Sequence, residues 1–252
     1  YKTQRFSESE EMYKSAIAIR ERLAKDNPLT YEPDLVSSYM LLGLLYADTQ
    51  SLAECEDMYK SALAIRERLA KSNPQAYEPD LASSYHNLAI LYYNIQRFSE
   101  SEEMYKSALE IYLHLYESNP YIYENQLLGC YYWIGRTQLL LDKSHEALDS
   151  FKQTLSLARQ LVKAGKDTPL YWESLSNLSN VAFIEKDYTS AYTYSEELLP
   201  VLNAMYREDN ERWKTDYSIQ LISLSFYANL LGKFSEGEHY TLEAIKVDST
   251  QH

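Results

Sequence analysis

The side chains of this 252-residue chain with chemistry to offer are twenty-five tyrosines, five histidines, two cysteines and a recurring set of paired glutamates. Spacing removes most catalytic options. His86, His114, His145, His239 and His252 are scattered, and no H-E-x-x-H helix, G-x-S-x-G elbow or phosphate-binding loop occurs. The glutamates return at a fixed interval, as at Glu10, Glu56 and Glu102. They therefore belong to a repeated surface and not to one acid–base pair. Cys55 and Cys130 stand 75 residues apart without a C-x-x-C motif. They read as reduced packing residues, since a zinc site or a disulfide framework needs more. No catalytic residue, metal or cofactor is expected, and the chain is read as no enzyme. What remains is recognition. Tyr92-Tyr93, Tyr121-Ile122-Tyr123 and Tyr131-Tyr132-Trp133 gather aromatics near the middle of the chain. Such rings supply contact area at little entropic cost, although packing between helices accounts for many of them.

The elements that must position these residues repeat. R-F-S-E-S-E-E-M-Y-K-S-A-I at Arg5–Ile17 returns at Arg97–Leu109, changed only in its last residue, and a variant lies midway at Ser51–Leu63. Phe6, Leu52 and Phe98 are thus equivalent, with a period of 46 residues. A fixed period of this size specifies stacked supersecondary units. Within one unit Leu81, Tyr85, Leu88, Ala89 and Tyr92 fall at three- and four-residue steps on one helix, A. Ser101, Tyr105, Ala108 and Ile111 do the same on a second, B. Pro79 suits a first helical turn, Asp80 favours the positive helix end, and Asn119-Pro120 ends helix B.

This pattern predicts B helices near 6–25, 52–71, 98–117, 144–163, 188–206 and 234–247, and A helices near 33–49, 79–95, 123–141, 168–185 and 211–231. Connectors such as 72–80 join the units. Pro200 is expected to kink or end its helix near Leu199. Ala62 and Ala108 are expected at the tight contact between helices. Glu10/Lys14, Glu56/Lys60, Glu102/Lys106, Glu21/Lys25 and Glu67/Lys71 read as solvated pairs one turn apart. Tyr1–Phe6 aligns with Tyr93–Phe98, so Tyr1 is expected to close a helix whose beginning is absent, as in a fragment of a longer protein.

The net charge of −13 argues against nucleic acid as a partner, because a polyanion needs a positive surface. It also disfavours an anionic membrane surface, and would help a basic partner to approach. No run of about 18 apolar residues is present, so no membrane span is expected. With no signal-peptide pattern either, a cytoplasmic location is expected.

The spacings resemble the tetratricopeptide repeat, W-x2-L-G-x2-Y on helix A and A-x3-F on helix B. The first full unit has Tyr39, Leu42, Gly43 and Tyr46, then Cys55 and Tyr59; the second has Tyr85, Leu88, Ala89 and Tyr92, then Ser101 and Tyr105. The third has Tyr131, Ile134, Gly135 and Gln138, then Ala147 and Phe151. The last two keep the apolar frame, as Leu175, Leu178, Ser179 and Ala182 and as Leu221, Leu224, Ser225 and Ala228, but lose the aromatics. The units are longer than the usual 34 or so residues, like those of kinesin light chain and of bacterial signalling proteins. The resemblance implies an all-α, right-handed superhelical solenoid of antiparallel helix pairs with about eleven helices. It would be one domain over 1–252, with a half repeat at 1–31 and repeats at 32–77, 78–121, 122–167, 168–210 and 211–252.

In that family the concave groove is lined by helix A residues one and five places after the signature aromatic, and it holds a peptide or protein segment. Carried over, these positions are Met40/Leu44, His86/Ile90, Tyr132/Arg136, Ser176/Asn180 and Ile222/Phe226, with Tyr93 and Phe183 one turn further on. None of the five pairs contains lysine, so the carboxylate clamp of chaperone-binding relatives is missing. The expected site is His86, Ile90, Tyr93, Tyr132, Arg136, Asn180, Phe183 and Phe226, with Arg136 as a carboxylate receptor and a protein or peptide of unknown identity as partner. Two other readings remain. One is a structural array that self-associates as a homo-oligomer through its solenoid ends. The other is a regulatory or sensor part of a larger signalling protein.

Overall fold

The computed structural model describes residues 2–166 and 168–249, with side chains from Phe6 onward. The expectation for Tyr1 therefore lies outside the described residues. Among the described residues there are eleven helices and no strand. The B helices are α1 (Lys2–Asp26), α3 (Leu52–Ser72), α5 (Phe98–Ser118), α7 (Ser144–Lys163), α9 (Tyr188–Glu208) and α11 (Phe234–Ser249). The A helices are α2 (Pro28–Asp48), α4 (Pro74–Asn94), α6 (Pro120–Leu140), α8 (Leu170–Ile184) and α10 (Asn210–Leu230). Each helix packs on its neighbours in sequence within two compact units, residues 1–130 and 131–252. Unit 1 centres on Leu42, Cys55, Tyr59 and Leu88, and unit 2 on Phe151, Leu175, Leu178 and Leu221. Among the described residues no helix is long and apolar enough to cross a membrane.

Each A helix meets the following B helix at a small residue. A Cβ on Gly43 would sit 2.5 Å from the Tyr59 ring, and one on Gly135 would sit 2.9 Å from Phe151. In the second pair Ala89 is fully buried, and Ser101 Oγ donates to its carbonyl at 2.9 Å. Ala62 and Ala108 are fully buried as expected. The last two pairs use different chemistry. Ser179 Oγ lies 2.8 Å from Ser195 Oγ, and Ser225 Oγ lies 2.7 Å from Thr241 Oγ1. A hydroxyl pair thus replaces the pairing of a small residue with a ring. Ser179 and Ser195 are both buried, where an unpaired polar group is costly, whereas Ser225 is buried and its partner Thr241 is exposed. This exchange concerns the ring position of helix B; on helix A the lost aromatics give way to Leu175, Ala182, Leu221 and Ala228, all buried.

The early A helices begin about five residues before the starts expected from the sequence. Pro28, Pro74 and Pro120 occupy the first helical position, where a missing N–H costs nothing. Asn73 caps α4 by accepting from the Ala76 N–H at 3.3 Å. The stretch around 72–80 is therefore one linking residue followed by helix, and Pro33 and Pro79 lie inside α2 and α4. Each forfeits one backbone bond, to the carbonyl of Leu29 or Gln75. Those residues are exposed, so water reaches the freed oxygen. Pro200 likewise does not end its helix: α9 continues to Glu208. The carbonyl it frees belongs to exposed Glu196, and buried Leu198 and Leu202 anchor the helix on either side. At the other end, α1 starts at Lys2 and not near residue 6.

The A-to-B turns share one device. Gln50, Gln96, Asp142, Lys186 and Gly232 all have φ between 57 and 75°. In the second turn the Gln96 N–H bonds the Tyr93 carbonyl and the Arg97 N–H bonds the Tyr92 carbonyl, at 3.1 and 2.8 Å. That is the Schellman closure of a helix, with a left-handed residue at its corner. Four of the five corners carry a side chain that incurs a steric penalty.

Polar ties cross from each early B helix to the next A helix. Tyr46 Oη donates to Glu10 and Tyr92 Oη donates to Glu56, both at 2.9 Å. Tyr39 donates to Glu21 at 2.5 Å and Tyr85 to Glu67 at 2.6 Å. The Glu10–Lys14 and Glu56–Lys60 pairs form as expected, at 2.7 and 2.6 Å. Glu21 and Glu67 serve these tyrosines in place of the expected pairing with Lys25 and Lys71. Glu102 pairs with Lys106 at 2.7 Å but is only 5% exposed, so it does not lie on a solvated face. Burial pushes the Glu56 carboxyl up, but hydrogen bonds from Lys60, Arg97 and Tyr92 outweigh it and hold the group below its ordinary value. Burial first, and Glu56 second, push the Tyr92 hydroxyl above its ordinary value.

Two outcomes follow from these features. Gln96→Gly removes the left-handed penalty, and net of glycine's own entropic cost should stabilise by about 0.5–1 kcal/mol. Gly232→Ala should lose about 1 kcal/mol, although a Cβ there meets nothing within 4 Å. Thermal melts of both variants check this. The second outcome concerns pH. Glu56 has a lowered folded pKa, so its contribution is full above its unfolded value near 4.5 and is lost as pH falls through the folded value. Tyr92 has a raised pKa, so its contribution is full below 10.0 and is lost as pH rises through the folded value. The melting-temperature gap between wild type and Glu56→Gln should be widest between these limits and close on both sides. A gap independent of pH would refute the tie.

Candidate functional site

In unit 1, α4 carries three of the expected residues. His86 is half-buried, edge-on to the Tyr105 ring at 5.3 Å, and burial pushes its pKa below 6.5, so the ring is neutral at pH 7. Ile90 is 39% exposed. Tyr93 is half-buried against Phe98, edge to face at 5.8 Å. Leu44, the counterpart of Ile90 on α2, is also exposed.

In unit 2 the expected residues separate. Asn180 is exposed on α8. Phe183 on α8 and Phe226 on α10 touch edge to face at 5.8 Å, yet remain 40% and 49% exposed. Ile222, one turn before Phe226, is exposed beside them. These side chains form an apolar ridge that spans two neighbouring A helices and has an amide on it.

Tyr132 and Arg136 depart from the expectation. Tyr132 is 3% exposed and belongs to the core of unit 2, with its ring edge-on to Phe151 at 6.0 Å. Its hydroxyl accepts from Arg136 Nη1 at 3.0 Å. Burial first, then the Glu173 carboxylate, push this hydroxyl above its ordinary pKa, while Arg136 pulls it back. A phenol long enough to satisfy its oxygen inside the unit gains more by packing down than by standing in solvent. Arg136 is half-buried and held on that phenol, so it is not the open carboxylate receptor expected.

Two of the concavities without a forecast gather polar or aromatic groups. One, in unit 1, of about 380 Å³, lies between α4, α5 and α6 and includes His86 with Asn87, Asn125, Gln126 and Gly129. The sequence signal was available: Gln126 stands where Asp80 and Asp34 do in the two units before, and Gly129 where Ser83 and Ser37 do. The other lies in unit 2, where Trp172 and Trp213 meet edge to face at 5.7 Å and Arg212 stacks on Trp213 at 4.9 Å. Cys55 and Cys130 are free and buried, and burial pushes their thiols up to about 11 and about 12.

With this geometry the class of protein is an array of helix pairs of the tetratricopeptide type. Residues 34–114 match the family model described as Tetratricopeptide repeat, and the chain has the tetratricopeptide-repeat fold. The crystal structure of BtubC (BKLC) from P. vanneervenii is similar with a TM-score of 0.62 at 20% identity, over 98% of this chain and 93% of that one. The crystal structure of the Podosopora anserina putative kinesin light chain nearly identical TPR-like repeats gives 0.61 at 14% identity, over 86% and 96%. YrrB, described as a TPR protein with an unusual peptide-binding site, gives 0.56 at 12%, over 92% and 93%. At these identities the likeness is one of fold. No curated protein matches the sequence.

Because Tyr132 is core, Tyr132→Ala should cost about 3 kcal/mol, in the range of large-aromatic truncations. A denaturant melt checks this; an unchanged midpoint would return Tyr132 to the surface.

Proposed function

We propose that this chain is a noncatalytic scaffold that binds a peptide or protein segment on the exposed faces of its A helices. The observation that carries the reading is the ridge of Phe183, Phe226 and Ile222, held out of the core on two adjacent A helices. Large apolar side chains gathered on one surface mark interaction sites. A neighbouring amide such as Asn180, exposed on the same helix as Phe183, suits a peptide backbone. In unit 1 the corresponding face offers Leu44, Ile90 and His86. YrrB, similar in fold, is described as having a peptide-binding site, which supports the reading by analogy alone. We propose a cytoplasmic location, with which the free buried thiols agree.

A pull-down from native lysate with wild type and with Phe183→Ala/Phe226→Ala tests this. Both rings are about half exposed, so the variant should melt close to wild type. It should retain specific partners about tenfold less well or worse, as for truncated aromatic anchors. Equal retention, or crosslinks from the partner that map to the B helices, would overturn the reading. Light scattering on the same samples separates partner binding from self-association.

A further inference from the structure

The unit 1 cavity has a composition of its own. Its floor is the buried phenol of Tyr112, whose hydroxyl lies 3.3 Å from Ser83 Oγ. Its walls are His86 and Asn87 from α4 and Asn125 and Gln126 from α6. Among the described residues no Asp, Glu, Lys or Arg lines it. The carboxamides of Asn87, Asn125 and Gln126 are not engaged in a hydrogen bond with any described residue. The neutral His86 ring adds one donor and one acceptor. Gly129 leaves the cavity open: it stands in the interior of α6, a Cβ there would meet nothing within 4 Å, and its counterparts one and two units earlier are Ser83 and Ser37. Glycine weakens a helix, so its presence here favours open space and not stability.

Ligand chemistry follows from those groups. A charged side chain would lose water with no opposite charge to meet it. An apolar one would cover amides and leave them unpaired. A group that is neutral and both donates and accepts satisfies them, and a primary carboxamide pairs reciprocally with another carboxamide. We propose that this cavity is a receptor for an asparagine or glutamine side chain of the bound segment. The assignment rests on the peptide-binding reading above and adds the side-chain preference of one subsite.

The test is a nitrogen-15 NMR titration of the full chain with N-acetyl-glutamine N-methylamide, alongside its glutamate, leucine and alanine analogues. The side-chain NH2 signals of Asn87, Asn125 and Gln126 should shift saturably with the glutamine probe. The other three should bind about tenfold more weakly, the penalty of one unpaired polar group. Gly129→Leu should abolish the response while melting at or above the wild-type temperature, since leucine is the better helix former and the space is open. Asn87→Ala should weaken it severalfold. An equal response to the alanine probe, which would mean backbone recognition alone, overturns the assignment. So does an equal response to the glutamate probe, a titration unchanged by Gly129→Leu, or no shift with any probe. The two readings fail separately. If the Phe183/Phe226 variant loses its partner and the cavity ignores the glutamine probe, the subsite falls and the scaffold reading stands. If the cavity responds and that variant keeps its partner, the ridge falls and the carboxamide receptor stands.

Discussion

The structure depends on how closely an A helix can lie on the B helix that follows it. Gly43 and Gly135 admit the rings of Tyr59 and Phe151 to positions that a Cβ would occupy, and Ala89, fully buried, stands at the same position in the second pair. Where the ring is gone, Ser179 with Ser195 and Ser225 with Thr241 close the distance by hydrogen bonding. The two solutions are equivalent in reach and opposite in chemistry. One buries a large ring against a small partner and gains through apolar burial. The other joins two hydroxyls, both buried in the Ser179–Ser195 pair, that would be costly alone and are satisfied together. The aromatic face of each A helix is free for other uses only because this contact is settled elsewhere.

A repeat array has no single core, so its stability is a sum over pairs and over the interfaces between them. Within a pair the small-residue contact serves. Between successive pairs of unit 1, the tyrosine–carboxylate ties at Tyr46–Glu10 and Tyr92–Glu56 serve. They also account for the repeated glutamates more fully than solvation does. Glu56 accepts from Tyr92, Lys60 and Arg97 together. A slip of one residue would separate these partners, so the same bonds that stabilise the interface fix its register.

The repeat, the helix pairs and the buried alanines were legible because each rests on a period, and a period survives any choice of partner. What was not legible depends on one position in three dimensions. Asn-Pro was read as a stop for helix B, although proline after an asparagine cap is equally a start, and here one dipeptide does both at Asn119–Pro120. The left-handed corners at Gln50, Gln96 and Lys186 carry side chains with no particular preference for that conformation, so composition could not mark them. Tyr132 occupies a groove position by count, as His86 does. Its hydroxyl finds Arg136 within the unit, and that contact, invisible to spacing, turns it inward.

Charge is kept off the exposed groove positions of this protein. The net charge of −13 is divided about evenly between the A and the B helices. The exposed residues at the A-helix groove positions, Leu44, Ile90, Asn180, Ile222, Phe183 and Phe226, are all uncharged. The acidic field can speed the approach of a basic partner and keep the chain soluble. On the proposed reading it does not choose what is held, because selection at contact would fall to apolar area and amides, whose strength salt scarcely alters. A partner recognised this way needs side chains that fill apolar space and pair with neutral donors and acceptors, and its net charge sets mainly how fast it arrives.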